Sequence, residues 1–361
     1  TDGFTVVVPT NKPDVTREAD VTEEILRLHG LDNVPIPAQI RSSMEMAPRP
    51  DPDAVRTTLA EFLAANGFNE GMGMSLSNGE YYVGGNAILP FPHEQIAYVH
   101  NTANQGLNCL RPTMVMGLLE AVRHNQNRKN ADLRLFEFGK VYRRIAEQAE
   151  ASYVPGFVET ARLALLLTGT HQSESWQPSA KGKTDFYTLK AYVQNLLTRM
   201  GIAGFQEVAL QETPFQYGLK WYRGSRELVS FGSIQPALLR RMDLKNPVFY
   251  ADFNMENLLE TLQHHQIQYR EVGKYPSVRR DLALVLDRQV NFGEIRQLAN
   301  KTVKKLLREV NLFDVFENES KIGAGKKSYA VSFTFEDSEK TLQDKDIDTV
   351  MQQLQAALDT K

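Results

Sequence analysis

Residues 281–358 carry the pattern that most limits the folds open to this chain. Apolar and polar side chains alternate along residues 326–335, which predicts a strand whose inward face is formed by Tyr329, Val331, Phe333 and Phe335. The same periodicities predict strands at Asp281–Leu286 and Val310–Phe316, and helices at Phe292–Leu307 and Asp344–Leu358. This β-α-β-β-α order is the core of a ferredoxin-like fold, and we expect the region to form a domain of that class.

Composition excludes several classes of protein. One of the 361 residues is a cysteine, Cys109, which excludes a disulfide framework and a thiolate metal cluster and fits a reducing cytosol. No apolar run approaches the roughly 20 residues that span a bilayer. The net charge of −3 is not that of a general nucleic-acid binder, so any RNA contact requires a local basic patch. We expect a cytoplasmic protein with no membrane partner.

The start of the chain predicts a small, partial domain. The β-branched run Phe4–Val8 predicts a strand that Pro9 stops, and no signal peptide precedes it, as in a piece cut from a longer chain. Helical spacing of apolar residues predicts a helix over Asp20–His29, with Gly30 as its stop. Five prolines then crowd residues 35–52, which predicts a semi-rigid linker and the first domain boundary.

The middle of the chain mixes helices and strands without regular alternation. Helical patterns occupy 53–66, 112–127, 185–200 and 252–265. Strand-like runs occupy Arg134–Tyr142, Ala161–Thr168, Glu227–Ile234 and Val248–Asp252. This order predicts an α+β domain around a mostly antiparallel sheet. The polar segment Gly169–Lys183 is predicted to be a mobile loop.

Four acidic residues at the start of the chain could bind a metal ion: Asp14, Asp20, Glu23 and Glu24. The last three share one face of the first helical turn, and carboxylate oxygens are the ligands that Mg²⁺ prefers. Acidic residues also stabilise the start of a helix by complementing its dipole and capping its free N–H groups. Spacing by itself favours the capping interpretation.

Two groups of residues in the last predicted domain could contact RNA. The basic residues Lys301, Lys304, Lys305 and Arg308 have the spacing of one helix face, which could bind phosphates or could be an ordinary solvated face. On the strand that follows, Asp314 and Phe316 point to the same side, near Ser328. An acid beside an aromatic ring can hydrogen-bond a base edge and stack on the base. The alternative is an amphipathic strand with Phe316 in the core.

The sequence offers no catalytic constellation. Cys109 lies in an apolar stretch and is expected to be buried. The seven histidines have no metal-ligand spacing, and the pair His264-His265 is expected at the surface. No Gly-x-Ser-x-Gly nucleophile elbow is present. We therefore assign no catalytic residue to this chain.

Three stretches together resemble the beta subunits of bacterial phenylalanine–tRNA ligases. At the start, residues 8–35 are similar to that family's small domain, although Lys12-Pro13 and Leu31 depart from its pattern. In the middle, Asn108–Glu120 and Arg134–Tyr142 are similar to a catalytic-like domain. At the end, the motifs are Lys274–Val285, Leu312–Phe316, Lys327-Ser328-Tyr329 and Lys340-Thr341-Leu342, and they are similar to a ferredoxin-fold anticodon-binding domain.

The resemblance implies an assignment of domains and sites. It divides the chain into a partial small domain (1–40), a proline-rich linker (41–52), a catalytic-like domain (53–268) and an anticodon-binding domain (269–361). The family's Mg²⁺ ligands correspond to Asp14, Asp20, Glu23 and Glu24. Its anticodon contacts correspond to Asp314, Phe316 and Ser328, where Phe316 replaces a common Tyr. The chain also ends short of the family's last strand.

The resemblance also implies a non-catalytic role. The catalytic-like domain resembles a class II synthetase core that has lost its active site, and Arg134-Leu135-Phe136-Glu137 places an Arg and a Glu at the wrong spacing for ATP. The implied partners are a catalytic alpha subunit, in a heterotetramer of two alpha and two beta chains, and tRNA-Phe. The alpha subunit would use ATP, with Mg²⁺ as a shared cofactor. Two alternatives remain: a stand-alone paralogue acting as a protein-interaction or RNA-binding scaffold, and an enzyme with a reworked central pocket.

Overall fold

The computed structural model describes residues 3–39, 42–43, 50–145, 156–171, 176, 182–263, 269 and 271–359. It divides into the units Thr1–Arg49 and Pro50–Lys361. No helix within the described ranges is long and apolar enough to cross a membrane. Much of the predicted linker 41–52, most of the predicted loop Gly169–Lys183, and the pair His264-His265 lie outside the described residues.

The first unit is built around one helix with no buried side chain. This helix, α1 (Glu18–His29), ends at Gly30, whose φ of 87° suits glycine and whose N–H donates to Leu26 O at 2.8 Å. A 3-10 turn, Leu31–Asn33, follows. The predicted helix stop is confirmed. The predicted strand is wrong, because described residues 4–8 find no partner strand to supply the hydrogen bonds that a strand needs.

The central part of the second unit is a large sheet. Its strands, β1 to β9, are Asn69–Glu70, Leu76–Ser77, Cys109–Leu110, Leu133–Arg144, Phe157–Thr168, Gln206–Leu210, Phe215–Arg223, Arg226–Ile234 and Val248–Asn254. Seven of the described strands pair in the order β1-β4-β5-β9-β8-β7-β6, and β2 pairs separately with β3. Only the β1–β4 pairing among these described strands is parallel. The predicted α+β class with a mostly antiparallel sheet is confirmed.

Helices cover both faces of this sheet. They are α2 (Pro52–Ala65), α3 (Val115–Gln126), α4 (Phe186–Arg199), α5 (Pro236–Arg241) and α6 (Met255–Gln263). Short 3-10 turns occupy Gly79–Tyr81, His93–Gln95 and Gln105–Leu107. The four helices predicted in this region are all present. The one predicted at 252–265 starts late, because residues 252–254 complete strand β9.

The strand β5 shows where the core lies. Its residues Leu163, Leu165 and Leu167 point to one face and pack in a core that includes α2, α4 and α6. Ala164 and Leu166 point to the other face and pack with α3 and α5. Successive side chains of a strand alternate between faces, so a strand buried on both sides must be apolar throughout. This is why residues 163–167 of β5 are all hydrophobic.

A smaller sheet closes the chain. Its elements are β10 (Val278–Asp287), α7 (Phe292–Thr302), β11 (Leu307–Phe316), α8 (Glu319–Ile322), β12 (Lys326–Phe335) and α9 (Asp344–Asp359). The three strands described between residues 271 and 359 pair in the antiparallel order β10-β12-β11. Side chains from α7 and α9 pack on one face of the sheet, against Val331, Phe333 and Phe335. The predicted ferredoxin-like arrangement is confirmed.

The predicted end of α7 is wrong. The helix ends at Thr302 and not at Leu307. Val303, Leu306 and Leu307 still pack in the same core, but from a turn and the first residue of β11. The apolar spacing therefore continues past the end of the helix, because a turn and a strand can supply the same core with side chains at similar intervals.

Candidate nucleic-acid interface

The outward face of the small sheet gathers the residues predicted to contact RNA. Residues opposite each other in an antiparallel pair share one face of the sheet. Phe316 is the register partner of Ser328, and Asp314 is the partner of Ala330. Tyr329 points the other way, into the core beneath the helices. Asp314, Phe316 and Ser328 therefore lie together on the face that α7 and α9 leave open.

A bulge in β11 produces this arrangement. The register passes from Leu312 opposite Val331 to Asp314 opposite Ala330, so that Phe313 is an additional residue. Leu312 packs in the core, and plain alternation would also have turned Asp314 and Phe316 toward the core. The extra residue reverses the phase of the strand. The alternative that places Phe316 in the core is wrong, since Phe316 is 41% exposed.

The centre of the open face is a lane of small side chains. β12 lies between β10 and β11 and contributes Ser328, Ala330 and Ser332 to this face; Ser328 and Ala330 are half-buried, and Ser332 is buried. Val285 and Phe316 are the two register partners of Ser328, one on each side of the lane. Both are substantially exposed. Small residues between larger ones leave room for a flat ring against the sheet, beside an aromatic surface on which it can stack.

Two cations lie against exposed aromatic rings beside this lane. Arg279 Cζ is 5.1 Å from the centre of the Phe313 ring, and Lys321 Nζ is 6.0 Å from that of Phe316. Arg279 Nε also donates to Asp281 Oδ1 at 2.8 Å. Positive charge beside aromatic rings suits a ligand that combines phosphates with flat bases. Sequence reasoning missed Phe313, Arg279 and Lys321 as candidates, because the bulge that exposes Phe313 has no local signature.

The four basic residues predicted on one helix face are divided among three elements. Lys301 is at the end of α7, while Lys304 and Lys305 are exposed in the following turn. Arg308 is on β11, where its Nη1 forms an ion pair with Glu336 Oε2. The predicted helical stripe is therefore wrong. The cause is the early end of α7, and phosphate binding by these side chains stays a prediction.

In the acidic cluster, Asp20 caps the start of α1. Its Oδ2 accepts hydrogen bonds from the backbone N–H groups of Thr16 at 2.9 Å and Arg17 at 2.8 Å. These backbone donors lower the pKa of Asp20, because they stabilise its charged form. Asp20 thus performs the capping role from the third position of the helix.

The other acidic side chains do not complete a metal site. Glu24 Oε1 accepts from Lys12 Nζ at 3.3 Å and from Arg27 Nη1 at 3.2 Å. In the part of the chain that the structure describes, no three His, Cys, Asp or Glu side chains are grouped as they would be around a metal ion. Carboxylates are chemically suited to Mg²⁺, but this arrangement does not fit one.

Two arginines of the central domain have structural partners within it. Arg111 Nη1 donates to Glu137 Oε1 at 2.7 Å, and its Nε donates to Lys140 O at 3.0 Å. Arg134 Nη1 donates to Asn66 O at 2.9 Å. Cys109 is fully buried, as expected, and this burial raises the pKa of its thiol to about 11. A thiol with so high a pKa is a poor nucleophile at neutral pH.

Family models match most of the chain. Residues 36–255 match the "Phenylalanyl tRNA synthetase beta chain CLM domain". Residues 273–361 match the "Ferredoxin-fold anticodon binding domain", and residues 1–31 match the "tRNA synthetase B5 domain".

Three similar curated proteins are named phenylalanine–tRNA ligase beta subunit. Those of Bacteroides fragilis and Bacteroides thetaiotaomicron are 39% and 40% identical over 100% of this chain, and that of Porphyromonas gingivalis is 36% identical over 99%. The chain spans 44% of the length of each. A solved pyrrolysyl-tRNA synthetase from Desulfitobacterium hafniense aligns with 68% of this chain and 77% of its own, at 20% identity and a TM-score of 0.45.

Proposed function

Since the chain belongs to the phenylalanyl-tRNA synthetase beta chain family, we propose that it is a non-catalytic portion of a phenylalanine–tRNA ligase that binds tRNA-Phe and packs against a catalytic alpha subunit. The observation that carries the RNA-binding part is the open face of the β10-β12-β11 sheet. Asp314, Phe316 and Ser328 share this face with a lane of small residues. Phe316 would stack on an anticodon base, while Asp314 and Ser328 would hydrogen-bond base edges.

The non-catalytic part rests on two arginines of the central domain. A class II synthetase reaction develops charge on a triphosphate, and unpaired cations must neutralise it. Arg111 is committed to Glu137, and Arg134 to the backbone oxygen of Asn66. Because both guanidinium groups are engaged within the domain, neither is free for a triphosphate, which supports a non-catalytic role. In our proposal the alpha subunit binds ATP and phenylalanine, in an assembly of two alpha and two beta chains in the cytoplasm.

Two finer assignments belong to the same proposal. We divide the chain into a small domain (1–40), a linker (41–52), a catalytic-like domain (53–268) and an anticodon-binding domain (269–361). We also propose Asp14, Asp20, Glu23 and Glu24 as Mg²⁺ ligands in the assembled ligase. There, a rearrangement of the acidic segment would have to bring the four carboxylates together, since the capping role of Asp20 competes with metal binding. No step of the reaction is assigned to this metal.

Reconstitution tests the proposal. The chain is tagged and mixed with a candidate alpha subunit, and the complex is then assayed for attachment of phenylalanine to tRNA-Phe. We expect co-purification of the two chains and no ATP–pyrophosphate exchange by this chain without its partner. Exchange by the purified chain would contradict the non-catalytic role, and failure to bind any alpha subunit would contradict the bracing role.

A further inference from the structure

We propose that Phe313 is a second base-stacking platform on the open sheet face, and that the Arg279 guanidinium occupies its ring until RNA binds. This inference rests on the proposed binding of RNA by this face. It adds a second nucleotide to the site and a residue that no part of the functional assignment above includes. The geometry of the bulge, the exposure of the ring and the position of Arg279 carry it.

The first step concerns the exposure of Phe313. Its side chain is 49% exposed, on a strand whose Leu307, Val310 and Leu312 pack in the core. It is the additional residue of the bulge, because Leu312 pairs with Val331 and Asp314 pairs with the adjacent Ala330. A bulge commonly redirects a side chain at a functional site, at a cost in strand pairing. Here the redirected side chain is a large aromatic beside the lane of small residues.

The second step concerns what covers the ring. Arg279 and Thr334 are register partners, and this places Arg279 on the open face. Its Cζ lies 5.1 Å from the centre of the Phe313 ring, and its Nε and Nη2 donate to the carboxylate of Asp281 at 2.8 and 3.4 Å. A guanidinium is flat and stacks on aromatic faces much as a base does. Arg279 therefore occupies the place that a base would take.

The third step concerns the pair of platforms. Phe313 and Phe316 are separated by two residues of the same strand, so their rings can hold two different bases of one RNA segment. Sheets that bind single-stranded RNA use this arrangement, with aromatic side chains that each stack on one base. When a base displaces Arg279 from Phe313, the freed guanidinium remains beside Asp281 and within reach of the RNA backbone. A negatively charged RNA phosphate then replaces the Phe313 ring as the partner of the Arg279 guanidinium.

The experiment compares variants of the assembled ligase in binding tRNA-Phe transcripts. The test variant is Phe313→Leu, which keeps an apolar side chain but removes the ring. The parallel variant is Phe316→Leu, and the control is Val315→Ala, since Val315 is the partner of Tyr329 and points to the opposite face. Phenylalanine activation by the alpha subunit and the melting temperature verify that each variant is folded. Transcripts with an abasic site at each anticodon-loop position identify the base that each ring contacts.

We expect Phe313→Leu to weaken binding of the intact transcript by about 5- to 150-fold, the range for loss of one base–aromatic stack. With the base missing at one anticodon-loop position, the parent and Phe313→Leu should bind the transcript equally. With the base missing at a different position, the parent and Phe316→Leu should bind equally. Normal binding by Phe313→Leu together with weak binding by Phe316→Leu would overturn the second platform and leave the proposed function intact. Normal binding by both folded variants would overturn the proposed function itself. The same abasic position for both would show a single site and also refute the second platform.

Discussion

Arg111 and Glu137 form an ion pair inside the central domain, with a distance of 2.7 Å from Nη1 to Oε1 and side chains that are 5% and 3% exposed. Gly139 lies beside the pair, and a Cβ at that position would overlap the Arg111 guanidinium. The glycine therefore leaves room for the arginine to cross strand β4. The pair fixes the segment before α3 to the large sheet, and it makes Arg111 a structural residue.

Removing one member of this pair should destabilise the domain strongly. We expect Arg111→Met to lower the free energy of unfolding by about 3–5 kcal/mol, because Glu137 would keep a buried charge without a partner. The double variant Arg111→Met with Glu137→Leu should recover most of that loss, since no charge is then buried. Chemical denaturation of the three proteins measures both effects. A single variant as stable as the parent would show that water replaces the pair at little cost.

Phe316 should carry a measurable part of RNA affinity. We expect Phe316→Ala to weaken tRNA binding by about 1–3 kcal/mol, because the ring loses its stack on a base. The neighbouring change Val315→Ala, on the helix side of the strand, should leave affinity unchanged. Equilibrium binding to labelled tRNA-Phe is the measurement. Equal affinities for the two variants would remove the sheet face from the RNA site.

The exposed lysines after α7 should contribute through charge. If Lys304 and Lys305 bind phosphates, changing both to Gln should reduce the dependence of log affinity on log salt by roughly one unit for each phosphate that is no longer neutralised. Arg308→Gln should have a smaller effect, because Arg308 already has a partner in Glu336. Binding titrations at several salt concentrations test this. An unchanged slope for the double variant would identify the lysines as an ordinary solvated surface.

The capping role of Asp20 makes the start of α1 sensitive to acid. The pKa of Asp20 is lowered in the folded protein. Its contribution to the stability of the start of α1 is therefore complete above the unfolded pKa of 3.8, and it is lost as the pH falls through the lower, folded pKa. Amide exchange at Thr16 and Arg17 should therefore accelerate, relative to the intrinsic rate, as the pH drops below about 4. In Asp20→Asn an oxygen acceptor remains but does not titrate, so this acid-induced loss should disappear. Persistence of the loss in that variant would assign it to another group.

The segments best predicted from sequence are those in which the burial of side chains follows one regular pattern. β12 alternates between the core and the open lane, and its predicted bounds, 326–335, are those observed. In β5, residues 163–167 are buried on both faces and form an unbroken apolar run, which was predicted, whereas the less buried residues 157–160 at the start of the strand were not. Strand β6 was not predicted, because four of its five residues are exposed at the edge of the sheet and it has little apolar pattern.

The sites were predicted less completely, for a different physical reason. Alternation identified Asp314 and Phe316 as neighbours on one side, but it could not decide which side, since Leu312 has the same parity and is in the core. Nothing in the local sequence marks Phe313 as an additional residue. Likewise, Lys301 and Arg308 have helical spacing, and the end of α7 between them depends on packing with distant residues. Register and helix ends are set by tertiary contacts, which sequence spacing does not contain.

Because Phe313 is the additional residue of the bulge in β11, its deletion would leave the neighbouring side chains on the same faces of the sheet. Leu312 and Asp314 pair with Val331 and Ala330, which are adjacent on β12, so a strand without Phe313 would pair regularly and keep the same outward side chains. A deletion at Val315 would instead bring Phe316 opposite Tyr329 and turn its ring toward the helices. The strand should therefore tolerate deletion of Phe313 much better than deletion of Val315. A homologue without the bulge residue would keep the counterparts of Asp314 and Phe316 on the open face. It would lack the Phe313 ring and so present a narrower aromatic surface to its ligand.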